Sequence, residues 1–244
     1  MDEPSIDTTF DVRSDAGGKD PDSHSPTLRR YHQFLWGKPL PDGSGFDLDA
    51  KLHHQSDRGE FWFASDAITN TYRGWLRPAH IVRVLDEVPA DEVAAFYDLG
   101  CTVGAYTIFP YPVHREGKWQ RSINQKRGTL RTIRDRCDLT LECIRRHYLG
   151  VDSPLAPTLN WHASFFQLFG SFEGYVDHFL LNDLVNDDGT IKWLSHFDDF
   201  ASDALPASSA EYRLYMGRSM EFINQRNERI ASFARSAEAG LPAS

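Results

Sequence analysis

The sequence predicts an α+β protein, with short antiparallel strands in the N-terminal half packed against a mainly helical C-terminal half. Before residue 110, short aromatic-rich runs are bounded by glycine and proline, the texture of strands half-buried on a pleated surface. From Ile123 onward, apolar residues recur at three- and four-residue steps almost without interruption, which keeps them on one face of a helix. No internal repeat and no long Pro/Gly/Ser stretch divides the interior. One core is therefore expected, since single domains extend to roughly 250 residues.

In chain order, residues 1–24 carry Asp2, Glu3, Asp7, Asp11, Asp15 and Asp20 among Gly, Ser and Thr. They read as a flexible acidic tail with none of the basic and apolar regions of a signal peptide, leaving residues 25–238 as one globular domain. The first helix is expected from Ser25 to Trp36, with Pro26 in its first turn and Leu28, Tyr31, His32 and Leu35 on one side, stopping before Gly37 and Pro39. Strands are expected at Phe46 to Leu48, Glu60 to Phe63 and Thr102 to Phe109, and helices at Ala79 to Val88 and Ala90 to Leu99. The helical half divides near 123 to 149, 154 to 169, 172 to 186 and 209 to 236, with one more strand at Thr190 to Leu194 after the turn Asn186-Asp187-Asp188-Gly189.

Composition excludes several classes. Apolar residues make up 41% and aromatics 13%, ample to offset the entropy of ordering the chain. Mean hydropathy is −0.48, and the apolar runs fall far short of the roughly 18 residues of a membrane span. A net charge of −9 opposes a general nucleic-acid coat, which needs a basic surface. Cys101, Cys137 and Cys143 match no metal or redox spacing, as expected of free thiols in a cytoplasmic protein.

Against that acidic balance, residues 121–147 hold eight Lys/Arg and three acids. Seven of the eight are arginines, whose planar fork suits phosphate or carboxylate. In the expected helix at 123 to 149, Ile133, Cys137, Leu141, Ile144 and Tyr148 form the core stripe, which places Cys137 in the core. Arg127, Arg131, Arg134, Asp138, Glu142 and Arg145 then lie about 100° around it. Two readings follow. In one, Arg127, Arg131, Arg134 and Arg145 bind an anionic small molecule, helped by Asn124 and Gln125 at the helix start, while Asp138, Glu142 or Asp183 acts as acid/base or orienting carboxylate. In the other, Arg134 with Asp138, and Glu142 with Arg145 or Arg146, are structural ion pairs. Asp183 falls near the apolar centre of its expected helix, so it either needs an arginine partner or faces water from a frayed last turn.

Weaker signals are His53-His54 with Asp57, and His196 with Asp198 and Asp199. Neither has a closed ligand spacing, so no metal is predicted. No GxSxG, GxxxxGK[ST] or GxGxxG motif occurs, and no cofactor is predicted. Gly59 to Asp66, following Leu35-Trp36-Gly37, is similar in texture to the aromatic strands with which ADP-ribosyltransferases clamp nicotinamide. Such enzymes usually place a glutamate on a late strand, and Thr190 to Leu194 has none. An aromatic hairpin in the core is the other reading.

Ser25-Pro26-Thr27-Leu28-Arg29-Arg30-Tyr31-His32, Ile123-Asn124-Gln125 with Arg127-Gly128, and Asp138-Leu139-Thr140-Leu141-Glu142-Cys143-Ile144-Arg145-Arg146 form one set of motifs. With Gly174-Tyr175-Val176-Asp177, Asp183-Leu184-Val185 and Phe197-Asp198-Asp199-Phe200, they resemble a bacterial family of uncharacterised proteins, a domain of unknown function. The likeness covers nearly all of the chain after the acidic segment. It implies a bacterial cytosolic origin and one intact domain, and adds no substrate. Where that pattern places an aromatic between Arg136 and Asp138, this chain has Cys137.

Two functional classes are carried forward. The first is an enzyme or sensor for a phosphate-bearing small molecule or nucleotide, which requires the arginines to converge on a concave site. The second is a non-catalytic interaction protein or homo-oligomer, in which the apolar side of the helix Ser209 to Ser236 packs on its own core or on a second chain. A nucleic-acid role ranks below both, since a local +5 is set against −14 on the rest of the chain.

Overall fold

The computed structural model describes residues 6–49, 51–70, 79–111, 114–115, 118–119 and 122–238. A single turn, α1 (Pro21–His24), leads into α2 (Pro26–Trp36). That helix starts where the sequence places it: Ser25 Oγ accepts the Leu28 amide at 3.1 Å, and Pro26 sits where no helical N–H is required. It buries Leu28, Tyr31, His32, Leu35 and Trp36 and ends at Gly37, whose amide donates to Gln33 O at 3.0 Å.

Residues 6–24 depart from the flexible tail expected of them. Val12 is fully buried, and its amide donates to Cys101 O at 3.0 Å. The acids are consumed locally: Asp7 accepts the Thr9 amide, Asp11 the Arg13 amide, and Asp15 both Ser25 Oγ at 2.5 Å and the Thr27 amide at 3.0 Å. Charge counting overlooks the hydrogen bonds that short Asp side chains make to nearby backbone.

Asp22 accepts Ser65 Oγ at 2.6 Å. Burial, with Asp66 close by, pushes its carboxyl up to about 8. A folded value above the unfolded one gives stability that is present below pH ~4 and lost as pH rises through 8. Asp22→Asn is therefore expected to match the wild type near pH 4 and to be more stable at pH 8.5, by on the order of 2 kcal/mol after solvent screening. Thermal unfolding across that range checks it; equal pH slopes for the two proteins would refute it.

Strands β1 (His53–Ser56), β2 (Gly59–Ala67) and β3 (Tyr106–Pro110) form an antiparallel sheet in that order, with His54 opposite Phe61 and Ser65 opposite Ile108. Along β2, Phe61, Phe63, Ser65 and Ala67 are buried, whereas Glu60 and Trp62 face out, the period of two that a half-buried strand requires. Two short strands, β4 (His114–Arg115) and β5 (Lys118–Trp119), pair antiparallel after this sheet. Three expected strands are corrected. Phe46 to Leu48 is loop, although Phe46 is buried against His54. Thr102 to Phe109 divides into a 3-10 turn at Val103–Ala105 and the start of β3. Thr190 to Leu194 contributes only a bridge from Ile191 to Val185.

Helices α3 (Ala79–Asp86) and α4 (Ala90–Leu99) lie between β2 and β3 in sequence. The expected 123–149 helix is two helices, α5 (Ile123–Thr129) and α6 (Cys137–Tyr148). The chain leaves α5 at Leu130, which is extended, and Arg134 and Asp135 then take φ of 49° and 65°, a left-handed conformation that a continuous helix does not contain. Next come α7 (Ala156–Trp161), α8 (Ala163–Gln167) and α9 (Phe172–His178), then a 3-10 turn at Asn182–Leu184 and the long α10 (Ser209–Glu238). None of the described helices is long and apolar enough to cross a membrane.

The apolar side of α10 packs on its own core, where Tyr212, Tyr215, Met216, Phe222, Ile223 and Ile230 are buried. Its Arg226 is fully buried and joins three parts of the fold through main-chain acceptors. Nε donates to Leu180 O at 3.1 Å, Nη1 to Gly104 O at 3.0 Å and Tyr106 O at 2.7 Å, and Nη2 to Phe179 O at 2.8 Å. These carbonyls lie just after α9 and around the 3-10 turn before β3, where backbone acceptors lack helical partners. Beside it, the Gly104 amide donates to Asn227 Oδ1 at 2.8 Å, and a Cβ at Gly104 would lie 2.4 Å from that oxygen. Only glycine fits there.

Candidate functional site

The described arginines between residues 122 and 147 do not converge. Arg127, on α5, is fully buried and donates from Nη2 to Asp66 Oδ2 at 2.5 Å and from Nη1 to Asp135 O at 2.9 Å. The missing side chain of Gly128 makes room for Asp135, whose Oδ2 would lie 2.9 Å from a Cβ there. Arg131 and Arg134 both reach Asp203, at 3.0 Å and 2.7 Å. Arg145 and Arg146 grip Glu142 at 2.7 Å and 2.8 Å, as the structural reading of the sequence has it. Asp138 is paired with Arg136 at 2.7 Å rather than with Arg134, and its Oδ2 also accepts the Leu194 amide at 2.9 Å.

Each arginine in this set thus has a carboxylate from its own chain, which neutralises the charge an external anion would need. The helix start is equally occupied. Gln125 and Ser122 form a reciprocal capping box, and Asn124 Nδ2 donates to Ser65 O at 3.4 Å. Cys137 and Cys143 are buried, and burial pushes both thiols up to about 12, which removes them as nucleophiles at neutral pH. Among the described residues, no three His, Cys, Asp or Glu side chains gather as metal ligands.

Asp183 lies elsewhere. It is held by Arg229 of α10 through two bonds of 2.9 Å and 2.8 Å, so its partner comes from the C-terminal helix and not from the basic region. Both residues line a cleft of about 880 Å³ between the loop after α2, the end of α9 and the last turns of α10. Of the candidates read from the sequence, Asp183 is the one this cleft contains.

The feature that sets the cleft apart is Lys38. The chain turns at Gly37 and Pro39, placing Lys38 half-buried at the cleft wall. Its Nζ donates to Asp177 O at 3.3 Å and lies 4.7 Å from the centre of the Phe233 ring. It makes no ion pair with a carboxylate of the described residues, in contrast to the arginines above. Burial pushes this amine down to about 7, with Arg226 adding to the shift and the nearby Asp177 carboxylate opposing it. Next to it, burial drives His178 down to about 3, so the imidazole is neutral and Nε2–H donates to Trp36 O at 3.2 Å. Across the cleft, Gln225, Glu228 and Ser232 supply polar groups from α10.

Chemically, the cleft offers two cations, Lys38 beside an aromatic ring and Arg229 paired with Asp183, together with the carboxylates of Asp177, Asp183 and Glu228 and the polar side chains of Gln225 and Ser232. Neither Lys38 nor Glu228 stood out in the sequence. The available signal was a lysine between the glycine and proline that end an amphipathic helix, a position from which a side chain is turned back over that helix's end.

Fold and site together define an α+β domain in which the buried Arg127 and Arg136 are paired with carboxylates of the chain and in which the Lys38 of the cleft makes no ion pair among the described residues. The chain belongs to a family of unknown function, DUF6994, whose model matches residues 6–230. No curated protein and no solved structure matches it.

Proposed function

We propose that the protein binds a small phosphate-bearing molecule, with the anionic group at Lys38 and hydroxyl or amine groups of the ligand at the rim formed by Gln225, Glu228 and Ser232. The observation that carries this is the Lys38 ammonium, held in a cleft of about 880 Å³ without a carboxylate partner among the described residues. A volume in the range of small-molecule sites, lined by a few polar groups, is the usual form of such a pocket. The anionic-ligand class expected from the sequence is kept, and its location moves from the arginine helices to the α2–α9–α10 cleft. Acids at the rim favour a ligand that also carries donors, such as a sugar phosphate, over inorganic phosphate. Arg229, locked to Asp183, positions the wall rather than meeting the anion.

A thermal-shift series tests this with glucose 6-phosphate, AMP and inorganic phosphate on the wild type, Lys38→Met and Arg145→Ala. A ligand at 100 times its Kd adds about 2.7 kcal/mol of stability. The expected outcome is a shift with an organic phosphate in the wild type and Arg145→Ala, absent in Lys38→Met. The reading fails if none of the phosphates shifts the wild type, or if Lys38→Met responds equally. The amine's depressed value sets a pH sign: binding of sulfate, whose own charge is constant, is expected to weaken between pH 6 and pH 8.5 as Lys38 loses its proton.

A further inference from the structure

A second cavity, of about 200 Å³, lies where the β1–β2 turn, the end of β3 and the α7–α8 junction meet. The described residues expose three large aromatic side chains, Trp62, Tyr111 and Trp161, at 38%, 52% and 40%, and all three line this cavity. The remaining exposed large hydrophobics are aliphatic. In a chain that buries most of its rings, collecting the exposed ones around one hollow marks a binding surface, because solvated aromatic faces give up burial the core could have used.

The platform is built and backed. Trp62 points outward by the alternation of β2, and its inner face stacks on His53 with ring centres 4.1 Å apart and planes 21° apart. The Tyr111 amide donates to Trp62 O at 2.5 Å, which ties the two backbones together. Phe165, fully buried, lies at the cavity base and packs on Phe61 and Phe63. The polar groups at the edge are few. Glu60 gives Oε1 to His53 Nε2 at 3.0 Å, leaving Oε2 as an acceptor; Ser164 brings a hydroxyl; and Arg58 is already bonded to Asp42.

Charge decides the ligand class. Among the described residues, Arg58 is bonded to Asp42 and Glu60 to His53, so none of them offers a phosphate an unpaired cation, whereas a neutral ring with N–H donors on its edge is accepted. The size admits one bicyclic ring and excludes a dinucleotide. Stacking on aromatic side chains with edge hydrogen bonds is how splayed-out bases are held. We infer that the Trp62–Tyr111–Trp161 cavity binds an uncharged purine, as the free base or the nucleoside, by stacking, with Glu60 accepting from its edge. This site is separate from the Lys38 cleft and does not depend on it.

Isothermal titration of the full chain with adenosine, guanosine, AMP and N-acetylglucosamine tests this on the wild type, Trp161→Ala and Tyr111→Ala. Two variants at exposed positions guard against misfolding, and a melting temperature within a few degrees of wild type qualifies each. The expected result is saturable nucleoside binding, weakened at least tenfold by either variant and, in Lys38→Met, where the phosphate cleft is disabled, also weakened by the 5′-phosphate of AMP. Lys38→Met is expected to leave nucleoside binding unchanged, which separates failure here from failure of the phosphate reading. No saturable nucleoside binding, binding insensitive to both variants, or preference for N-acetylglucosamine, or for AMP in Lys38→Met, over the nucleosides would each overturn the proposal.

Discussion

Replacing Arg226 by methionine is expected to unfold the protein. The guanidinium bonds four main-chain carbonyls at 2.7 to 3.1 Å in a fully buried position, and none of those acceptors regains water when the donor is removed. A buried polar group left unpaired costs roughly 1–3 kcal/mol, and a bond to a charged group is worth about 1.5–3 kcal/mol. Even heavily discounted for non-additivity, four such losses reach ~5 kcal/mol, comparable to the whole stability of an ordinary domain. The charge itself opposes burial: no carboxylate of the described residues forms an ion pair with it, and desolvation pushes its value down to about 10 against the more distant pull of Asp183. Arg226 remains protonated at neutral pH because the ends of α9 and of the turn before β3 present carbonyl dipoles to it, helped by the Trp36 ring 5.5 Å away.

Lysine restores the charge but not the fork, so Arg226→Lys is expected to fold with reduced stability. Arg213→Met, which breaks the exposed pair with Glu92, is expected to cost under ~1 kcal/mol. Urea unfolding of the three variants, followed by far-UV circular dichroism, makes the comparison. An Arg226→Met protein within ~1 kcal/mol of wild type would mean that water satisfies those carbonyls and that the joint is dispensable.

What the sequence could and could not reveal follows one physical line. Local signals held: Ser25 and Pro26 start α2, Gly37 stops it, Ala90–Leu99 is a helix, and Ser209 opens the last helix. Those features are set by neighbours within four residues. The α5–α6 break was hidden because Arg134 and Asp135 carry none of the glycine or proline that usually announces a left-handed turn. Once that break is present, a stripe drawn along one continuous helix no longer describes a surface. Arg127 turns into the core, while Arg131 and Arg134 turn toward Asp203. Their partners lie 61 to 72 residues away, a distance no periodicity reports. Glu142 with Arg145 and Arg146, at i,i+3 and i,i+4, was legible for the opposite reason. Lys38 escaped notice because its character comes from burial between the end of α2, the end of α9 and the Phe233 ring, which is a property of the tertiary structure.

Asp138, read from the sequence as a possible acid/base group, is expected to prove structural, and its loss to be the second largest effect. Its carboxylate is fully buried, bound to Arg136 by two bonds of 2.7 and 3.2 Å and to the Leu194 amide. Arg136, itself buried, continues to His196 O at 2.8 Å and Ser195 O at 3.3 Å, so the pair ties the start of α6 to the segment before α10. Asp138→Leu strands a buried guanidinium, which costs about 3–5 kcal/mol. Arg136→Met strands the carboxylate and two carbonyls and is expected to cost at least as much. Removing both groups leaves no uncompensated charge, so the double variant is expected to be more stable than the sum of single losses implies, by about 1–3 kcal/mol. A catalytic role predicts a different pattern, in which Asp138→Leu folds normally and ligand binding or turnover alone changes. Denaturant unfolding of the two single variants and the double variant separates the two. Additive losses would show that the charges are screened from each other, and a fully stable Asp138→Leu would return this residue to the candidates for chemistry.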